Sequence, residues 1–297
     1  MTGTTMTGTT MPGTTERPEI VVGIDPAGDW RLPVAWAADQ AERRRSALRL
    51  AVSVPPPRDT QHVDDTPRLQ AQTLAGRNAL AAAAAWAHER RPGVPVTTVL
   101  LGGNPAQVMT RLSEGAAMVV LGSRRPSRTE GLLGTGSPVV PVTAQARCPV
   151  AVVGDAGHAT RAPSHLVVEV DGSESSRAAL AFAFEEARLR GCELRTVAVG
   201  RPPVLAGRPG RAPLFRSGRQ RLTDATLAWA ERYPEVPLTH EVTAGPPVEA
   251  LAEAAEHAPA VVVGRRGRGG CTGTRVGPVV RGLLHRARCP VVTVPRG

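Results

Sequence analysis

The chain repeats itself once, and this duplication limits what it can fold into more than any other feature. Asp25 and Asp171 each close a short apolar run and stand 146 residues apart. Gly122 and Gly264 are 142 apart; Gly136 and Gly277, like Cys148 and Cys289, are 141 apart. An offset that shrinks so little along the half means one duplicated unit with small loop insertions. With 297 residues, each copy is long enough to bury its own core.

Within each copy, short β-branched runs alternate with segments of helical period. Strands are expected at Ile20–Ile24, Leu48–Val54, Val94–Leu101, Ala117–Leu121 and Pro149–Val153. Helices are expected at Leu32–Arg45, Arg68–Arg90 and Pro105–Glu114, with a short one before the last strand. In the first helix Val34, Ala37, Ala38 and Ala41 share a face, and Glu42–Arg45 read as solvated. The second copy gives strands at His165–Val170, Glu193–Val199, Val236–Val242, Ala260–Val263 and Pro290–Val294. Its helices are Glu174–Arg190, Gln220–Arg232, Pro247–His257 and a short basic one before the last strand. Ser173 is placed to cap the first of these, and Gly191 to end it.

Continuous apolar strands separated by helices imply a parallel sheet covered on both faces and joined by right-handed crossovers. The expected fold is α/β, with two tandem doubly wound, Rossmann-like domains at residues 19–156 and 163–297. Each would be a five-stranded parallel sheet of order 3-2-1-4-5. That order sets strands one and four side by side, so the aspartate after strand one and the loop after strand four line one crevice. Residues 1–18, built from Met-Thr-Gly-Thr-Thr repeats, have nothing to bury and read as a disordered tail.

The loops after the fourth strands are the candidate ligand sites. In the second copy the loop carries Gly264, Arg265, Arg266, Gly267 and Gly277, then Pro278; in the first it carries Gly122, Ser123, Arg124, Arg125, Gly136 and Ser137. A glycine- and arginine-rich loop that opens a helix offers backbone N–H groups and positive charge to an anion.

Several motifs recur in the same order in both copies or mark one of them. They are the Val170-Asp171-Gly172-Ser173 turn, the Gly-x-Pro lead-ins at Gly103-Asn104-Pro105 and Gly245-Pro246-Pro247, the fourth-strand glycine loops, and the Cys-Pro-Val start of each last strand. On these, the chain resembles a tandem universal stress protein from about residue 19 to 295. The ATP-binding branch of that family carries Gly-2x-Gly-9x-Gly-(Ser/Thr) after strand four. Gly264, Gly267 and Gly277 match this spacing, with Pro278 in place of the hydroxyl residue. In the first copy Arg125 replaces the second glycine, and Gly136-Ser137 supplies the final pair one residue late. The resemblance implies that Asp25 and Asp171, with the second-strand ends Ser53 and Val199, meet the adenosine, and that the glycine loops meet the phosphates of ATP, with Mg2+ as its companion ion. Gly23 suits close backbone approach at the first strand, where the second copy has the bulkier Glu169. The resemblance also implies an intrachain pseudo-dimer packed through the last strands, and it allows a homodimer of whole chains.

Composition excludes more than it assigns. All 36 basic residues are arginines, giving a formal charge of +10. With no lysine, neither a P-loop Gly-Lys-Ser/Thr nor a Schiff-base lysine can exist. There is no Gly-x-Ser-x-Gly elbow or His-Glu-x-x-His pair, so the chain is expected to be no dedicated enzyme, with slow ATP hydrolysis the nearest catalytic idea. The arginine excess sits mainly in Gly200–Arg221, read as a solvated basic loop rather than a nucleic-acid surface; aromatics at 3% give no platform for stacking bases. The four cysteines form no Cys-x-x-Cys; Cys148 and Cys289 read as small buried hydrophobes, and His285 with Cys289 makes no metal site. No apolar run approaches the ~20 residues of a membrane span, and no secretory leader is read, so a cytoplasmic protein is expected. Three functions stay open: a nucleotide-binding regulator, a nucleotide-free interaction module, and an adenine-nucleotide enzyme of the same fold.

Overall fold

The computed structural model describes residues 18–56, 64–123, 137–154, 165–200, 211–267 and 276–296. The first half runs β1 (Glu19–Gly23), α1 (Arg31–Arg44), β2 (Ala47–Val54), α2 (Thr66–Arg90), β3 (Val96–Gly102), α3 (Pro105–Leu112), β4 (Ala116–Ser123), α4 (Val139–Gln145) and β5 (Val150–Gly154). The second runs β6 (His165–Glu169), α5 (Glu174–Arg190), β7 (Glu193–Gly200), α6 (Arg211–Arg232), β8 (Leu238–Ala244), α7 (Pro247–Ala254), β9 (Val261–Gly264), α8 (Pro278–Arg286) and β10 (Val291–Val294). The tail assigned to residues 1–18 lies outside the described residues up to 17.

All ten strands join one sheet of order β3-β2-β1-β4-β5-β10-β9-β6-β7-β8. Each half thus has the expected 3-2-1-4-5 order, parallel throughout. The halves meet where β5 and β10 pair antiparallel, Val292 against Ala151 with Val291 against Val152 and Thr293 against Val150. Ala151 and Val292 are counterparts at the 141-residue offset, so at this pair the chain faces its own equivalent, as in a two-fold contact. The pseudo-two-fold axis crosses the sheet there. Each last strand would otherwise expose an unpaired apolar edge, and pairing removes both edges at once.

Helices cover both faces. On one, α1, α2, α5 and α6 enclose a core running through both halves, with Ile20, Leu48, Leu50, Leu166, Leu180 and Phe184 at 0–1% exposure. On the other, α3 and α4 cover Val21, Val119 and Val150, while α7 and α8 cover Val261, Val263 and Val291; Leu284 packs on both clusters. The helix ends follow their sequence signals. Ser173 Oγ accepts a hydrogen bond from Ser176 N at 3.1 Å, and Gly191 closes α5 at φ 61°. Cys148 and Cys289 are buried, as read.

Two local readings are corrected. The basic stretch up to Arg221 is not all loop, because α6 begins at Arg211. Gly218, Leu222 and Thr226 fall on one buried face, and a Cβ on Gly218 would stand 2.6 Å from Val242 Cγ1, so the glycine that reads as a loop signal lets the helix settle on β8. Arg216 and Arg219 point to solvent from that helix; Arg201 and Arg208 lie outside the described residues. And α8 stops at Arg286, so His285 and Cys289 share no helix face. Among the described residues no group of three His, Cys, Asp or Glu side chains is placed to hold a metal, and no helix is long and apolar enough to cross a membrane.

Candidate functional site

Strand order reverses between β1 and β4 in one half and between β6 and β9 in the other, and the crevices open at the carboxyl ends of these strands. The second half assembles its crevice from three segments. Just beyond β6, Asp171 Oδ1 accepts from Ser173 N at 2.8 Å, a tight turn made possible by Gly172 at φ +81°. Ser173 caps α5, and its hydroxyl also donates to the Arg266 carbonyl at 3.3 Å, tying the turn to the loop beyond β9. That loop is held on its other side by Gly277, whose N–H donates to the Arg265 carbonyl at 3.1 Å. A Cβ on Gly267 would stand 2.8 Å from Asp171 Oδ2. Asp171, Gly267 and Gly277 therefore meet in one place, as their spacing predicts.

Gly277 is the N-cap of α8 and makes no side-chain cap. The first-turn N–H groups of Val279 and Val280, at the positive end of the helix, lie at this corner. Pro278, exposed, occupies the first helical position, where its fixed φ suits the helix. It also leaves the corner one N–H and one hydroxyl poorer than a Ser or Thr would.

The two family-spaced glycines at the strand ends have a packing reason of their own. A Cβ on Gly264 would fall 2.6 Å from the Ser175 carbonyl carbon and 2.8 Å from its oxygen, inside the first turn of α5. On Gly122 it would meet Pro33 Cγ at 3.0 Å, in the first turn of α1. In both halves the helix N-terminus comes down onto the strand end because Gly122 and Gly264 carry no side chain there. Gly23 is a different case. The space its side chain would need is taken by Leu121 Cδ2 at 2.8 Å and Met109 Cε at 3.3 Å, so its bareness serves the core rather than a ligand's approach.

The first half is less closed among its described residues. Asp25 Oδ1 accepts from Ala27 N at 3.0 Å, and α1 starts six residues after Asp25, where α5 starts three after Asp171. Ser53 Oγ donates to the Gly103 carbonyl at 2.7 Å, tying the end of β2 to the turn that Gly103 makes at φ +136°. Its counterpart region, Val199, is half-buried at the end of β7, where Gly200 O accepts from Gly245 N at 3.2 Å. Ser123 is buried as the last residue of β4, and Ser137 Oγ accepts from Val139 N at 3.4 Å at the start of α4. Arg124, Arg125 and Gly136 lie outside the described residues.

The arginines divide. Arg266 is exposed beside Gly267. Arg265 turns its guanidinium away from the crevice to the other half, donating to the carbonyls of Ala144 (3.3 Å) and Ala146 at the C-terminal end of α4. Burial first, then the charges of Arg266 and Arg147, lower its pKa from the usual arginine value. A cation there meets the negative end of the α4 dipole. Sequence reasoning placed Arg265 at the phosphates; its partners are more than a hundred residues away in the other copy, with no local signal. The tether from Ser173 to Arg266 was also missed, although the Asp-Gly-Ser turn marks the residue.

The Universal stress protein family pattern matches residues 17–154 and again residues 164–295. The chain belongs to the universal stress protein family. A universal stress protein of Mycobacterium tuberculosis is 33% identical over 289 residues, covering 92% of this chain and 95% of its own length. The crystal structure of a universal stress protein from Archaeoglobus fulgidus superimposes with a TM-score of 0.73 at 17% identity, over 94% of this chain and 96% of that one, and shares the fold. A second protein of this family from the same organism, solved in complex with dAMP, aligns with 46% of this chain and 97% of itself at 20% identity (TM-score 0.35), a match to a single half. In family terms, this chain carries two universal stress units whose β5 and β10 edges close on each other.

Proposed function

We propose that this universal stress protein binds an adenine nucleotide, ATP in the first instance, at the crevice between β6 and β9, and acts as a cytosolic regulatory protein rather than a dedicated catalyst. The observation that carries this reading is the meeting of Asp171, Gly267 and Gly277 beside the uncapped N-terminus of α8. The carboxylate suits the hydroxyls of a ribose. The helix start and the glycine loop suit phosphate oxygens, and Arg266 and a bound Mg2+ would offset their charge. With Pro278 in the donor position, the phosphates have fewer partners than a Ser or Thr would supply, so affinity is expected to rise in Pro278→Ser. The test is to identify co-purifying nucleotide by mass spectrometry and titrate ATP back by calorimetry. Saturable binding that is lost in Asp171→Ala and strengthened in Pro278→Ser supports the reading; binding indifferent to both overturns it for this crevice.

A second reading, a nucleotide-free interaction module, is favoured by one finding: the packing of α1 and α5 accounts for Gly122 and Gly264 without any ligand. It predicts no thermal shift with millimolar ATP. Since β5 and β10 are paired within the chain, a second copy would have to use the outer strands β3 and β8 or the helical faces.

A further inference from the structure

Where α1 and α5 cross the seam between the halves, the buried contact is polar. Gln40 and Glu186, at 0% and 1% exposure, are counterparts 146 residues apart, and Gln40 Nε2 donates to Glu186 Oε1. Arg44 Nη2 donates to Glu186 Oε2 at 2.7 Å and Arg190 Nε to Oε1 at 2.5 Å. Arg44 and Arg190 are themselves counterparts at the same offset, as are Trp36 and Phe182. Each guanidinium lies over the ring of the opposite helix, Arg44 over Phe182 at 5.1 Å and Arg190 over Trp36 at 5.7 Å. Arg44, which the sequence reads as solvated, is thus part of the seam. Around the cluster stand Glu185, bonded to Arg44 at 3.2 Å, and Arg43, which with Arg190 and Glu186 acts on the half-buried Cys192. Asp39 is bound to Arg90 and Arg91. Burial opposes the charge on Glu186, but Arg190, Arg44 and the Gln40 amide outweigh it and hold the carboxyl below its usual range.

The two bonded arginines and the two rings obey the pseudo-two-fold axis in kind; the central pair does not. A two-fold axis sets counterparts face to face, so identical residues here would meet themselves. Two glutamates in contact oblige one to keep a proton. Two glutamines leave two largely buried guanidiniums without a buried carboxylate, the costly way to break such a pair. Glutamine against glutamate alone gives the amide an acceptor and the two guanidiniums a buried carboxylate, with no proton to share. We propose that the Gln40/Glu186 pair is a recognition device that fits each half of the chain to the unlike half and disfavours the pairing of like halves. A duplicated unit begins with two identical faces, each able to seat on its own kind in another chain; one amide-for-carboxylate difference at the axis favours the unlike pairing, in which both guanidiniums keep a buried carboxylate while Gln40 Oε1 makes no hydrogen bond.

The test uses the full chain in three forms, Q40E, E186Q and the exchange Q40E/E186Q, each unfolded thermally at pH 5.5 and pH 8. Each single variant is expected to lower the midpoint at pH 8 by about 5 °C or more. In Q40E the facing carboxylates raise one pKa, so the shared proton stabilises at low pH and is lost as pH rises; its deficit shrinks at pH 5.5. The exchange variant moves donor and acceptor across the axis between the same two arginines, and is expected to return to within about 2 °C of the parent. An exchange variant no better than the poorer single overturns the proposal. So does a Q40E chain as stable as the parent at pH 8, its carboxylate taken up by Arg44 Nε and Arg190 Nη2, which make no hydrogen bond here. Should a single variant give no soluble protein, the exchange decides alone: a folded chain near the parent midpoint supports the pairing, and an insoluble one refutes it.

Discussion

Replacing glycines of the two strand-end loops one at a time by alanine separates the packing role from the ligand role. At Gly264 the added carbon would lie 2.6 and 2.8 Å from the backbone of Ser175, closer than real Cβ contacts come. No flexible side chain can yield there, so relief requires moving the first turn of α5 off β9. Overpacking of this kind costs about 1–3 kcal/mol. In a chain of this size each kcal/mol lowers the midpoint by about 2–4 °C. At Gly122 the nearest atom is the ring carbon of Pro33 at 3.0 Å, a contact a few tenths of an ångström of ring movement relieves, so the cost should fall at or below about 1 kcal/mol. At Gly277 the nearest atom is the Arg265 oxygen at 3.5 Å and φ is −67°, open to any residue. Weaker capping there is set against lower unfolded-state entropy, and the net change should stay within about 1 kcal/mol. The expected order of destabilisation is G264A, then G122A, then G277A. Urea and thermal unfolding read the order, and ATP titration of the same proteins reads the ligand. A G264A chain with the parent's midpoint and no nucleotide binding would refute the packing argument, since the glycine would then be kept for the ligand.

Ser173→Ala removes the α5 cap and the tether to Arg266 together; a loss of about 1–2 kcal/mol is expected, with faster amide exchange in the first turn of α5. Unchanged exchange there would mean the cap is idle. Burial pushes the Cys148 thiol up to about 11 and the Cys289 thiol up to about 12, so at pH 8 neither is a thiolate. Iodoacetamide should leave both unmodified in the folded chain and label both in urea, as read by peptide mass mapping; labelling of either in the folded state contradicts the burial. For Asp39, burial opposes ionisation, but hydrogen bonds from Arg90 and Arg91 hold the carboxyl below its usual range. A depressed carboxyl stabilises the fold above its ordinary value of about 4 and loses that contribution as pH falls through the folded value. Asp39→Asn should therefore flatten the acid limb of a stability–pH curve below about pH 4, and an unaltered limb would show the ion pair contributes nothing.

Strand order was legible because chemistry and topology constrain each other: an aspartate after strand one and a glycine loop after strand four can share a crevice only if those strands are neighbours, and they are. The meeting of Asp171 with Gly267 follows from the same reasoning. Lost were the features whose cause lies in a distant element, and for two of them in the other copy. Gly218 looks like a break until Val242 is set beneath it. Arg265 looks like a phosphate ligand until α4 of the first half presents its carbonyls. Gln40 looks like an ordinary polar position until α5 crosses it. The offsets held a hint that periodicity could not interpret. Positions on a two-fold axis must meet their own counterparts, so a difference between copies there changes both sides of one contact, whereas a difference elsewhere changes two separate places. Among repeat positions that differ between the copies, those nearest the axis should therefore couple most strongly. Ser123 and Arg265, counterparts at the 142-residue offset, offer the comparison. Arg265→Ser makes the loops alike, and if the reasoning holds it should loosen α4 without the rescue by exchange expected of Gln40 and Glu186, because the two positions do not touch each other.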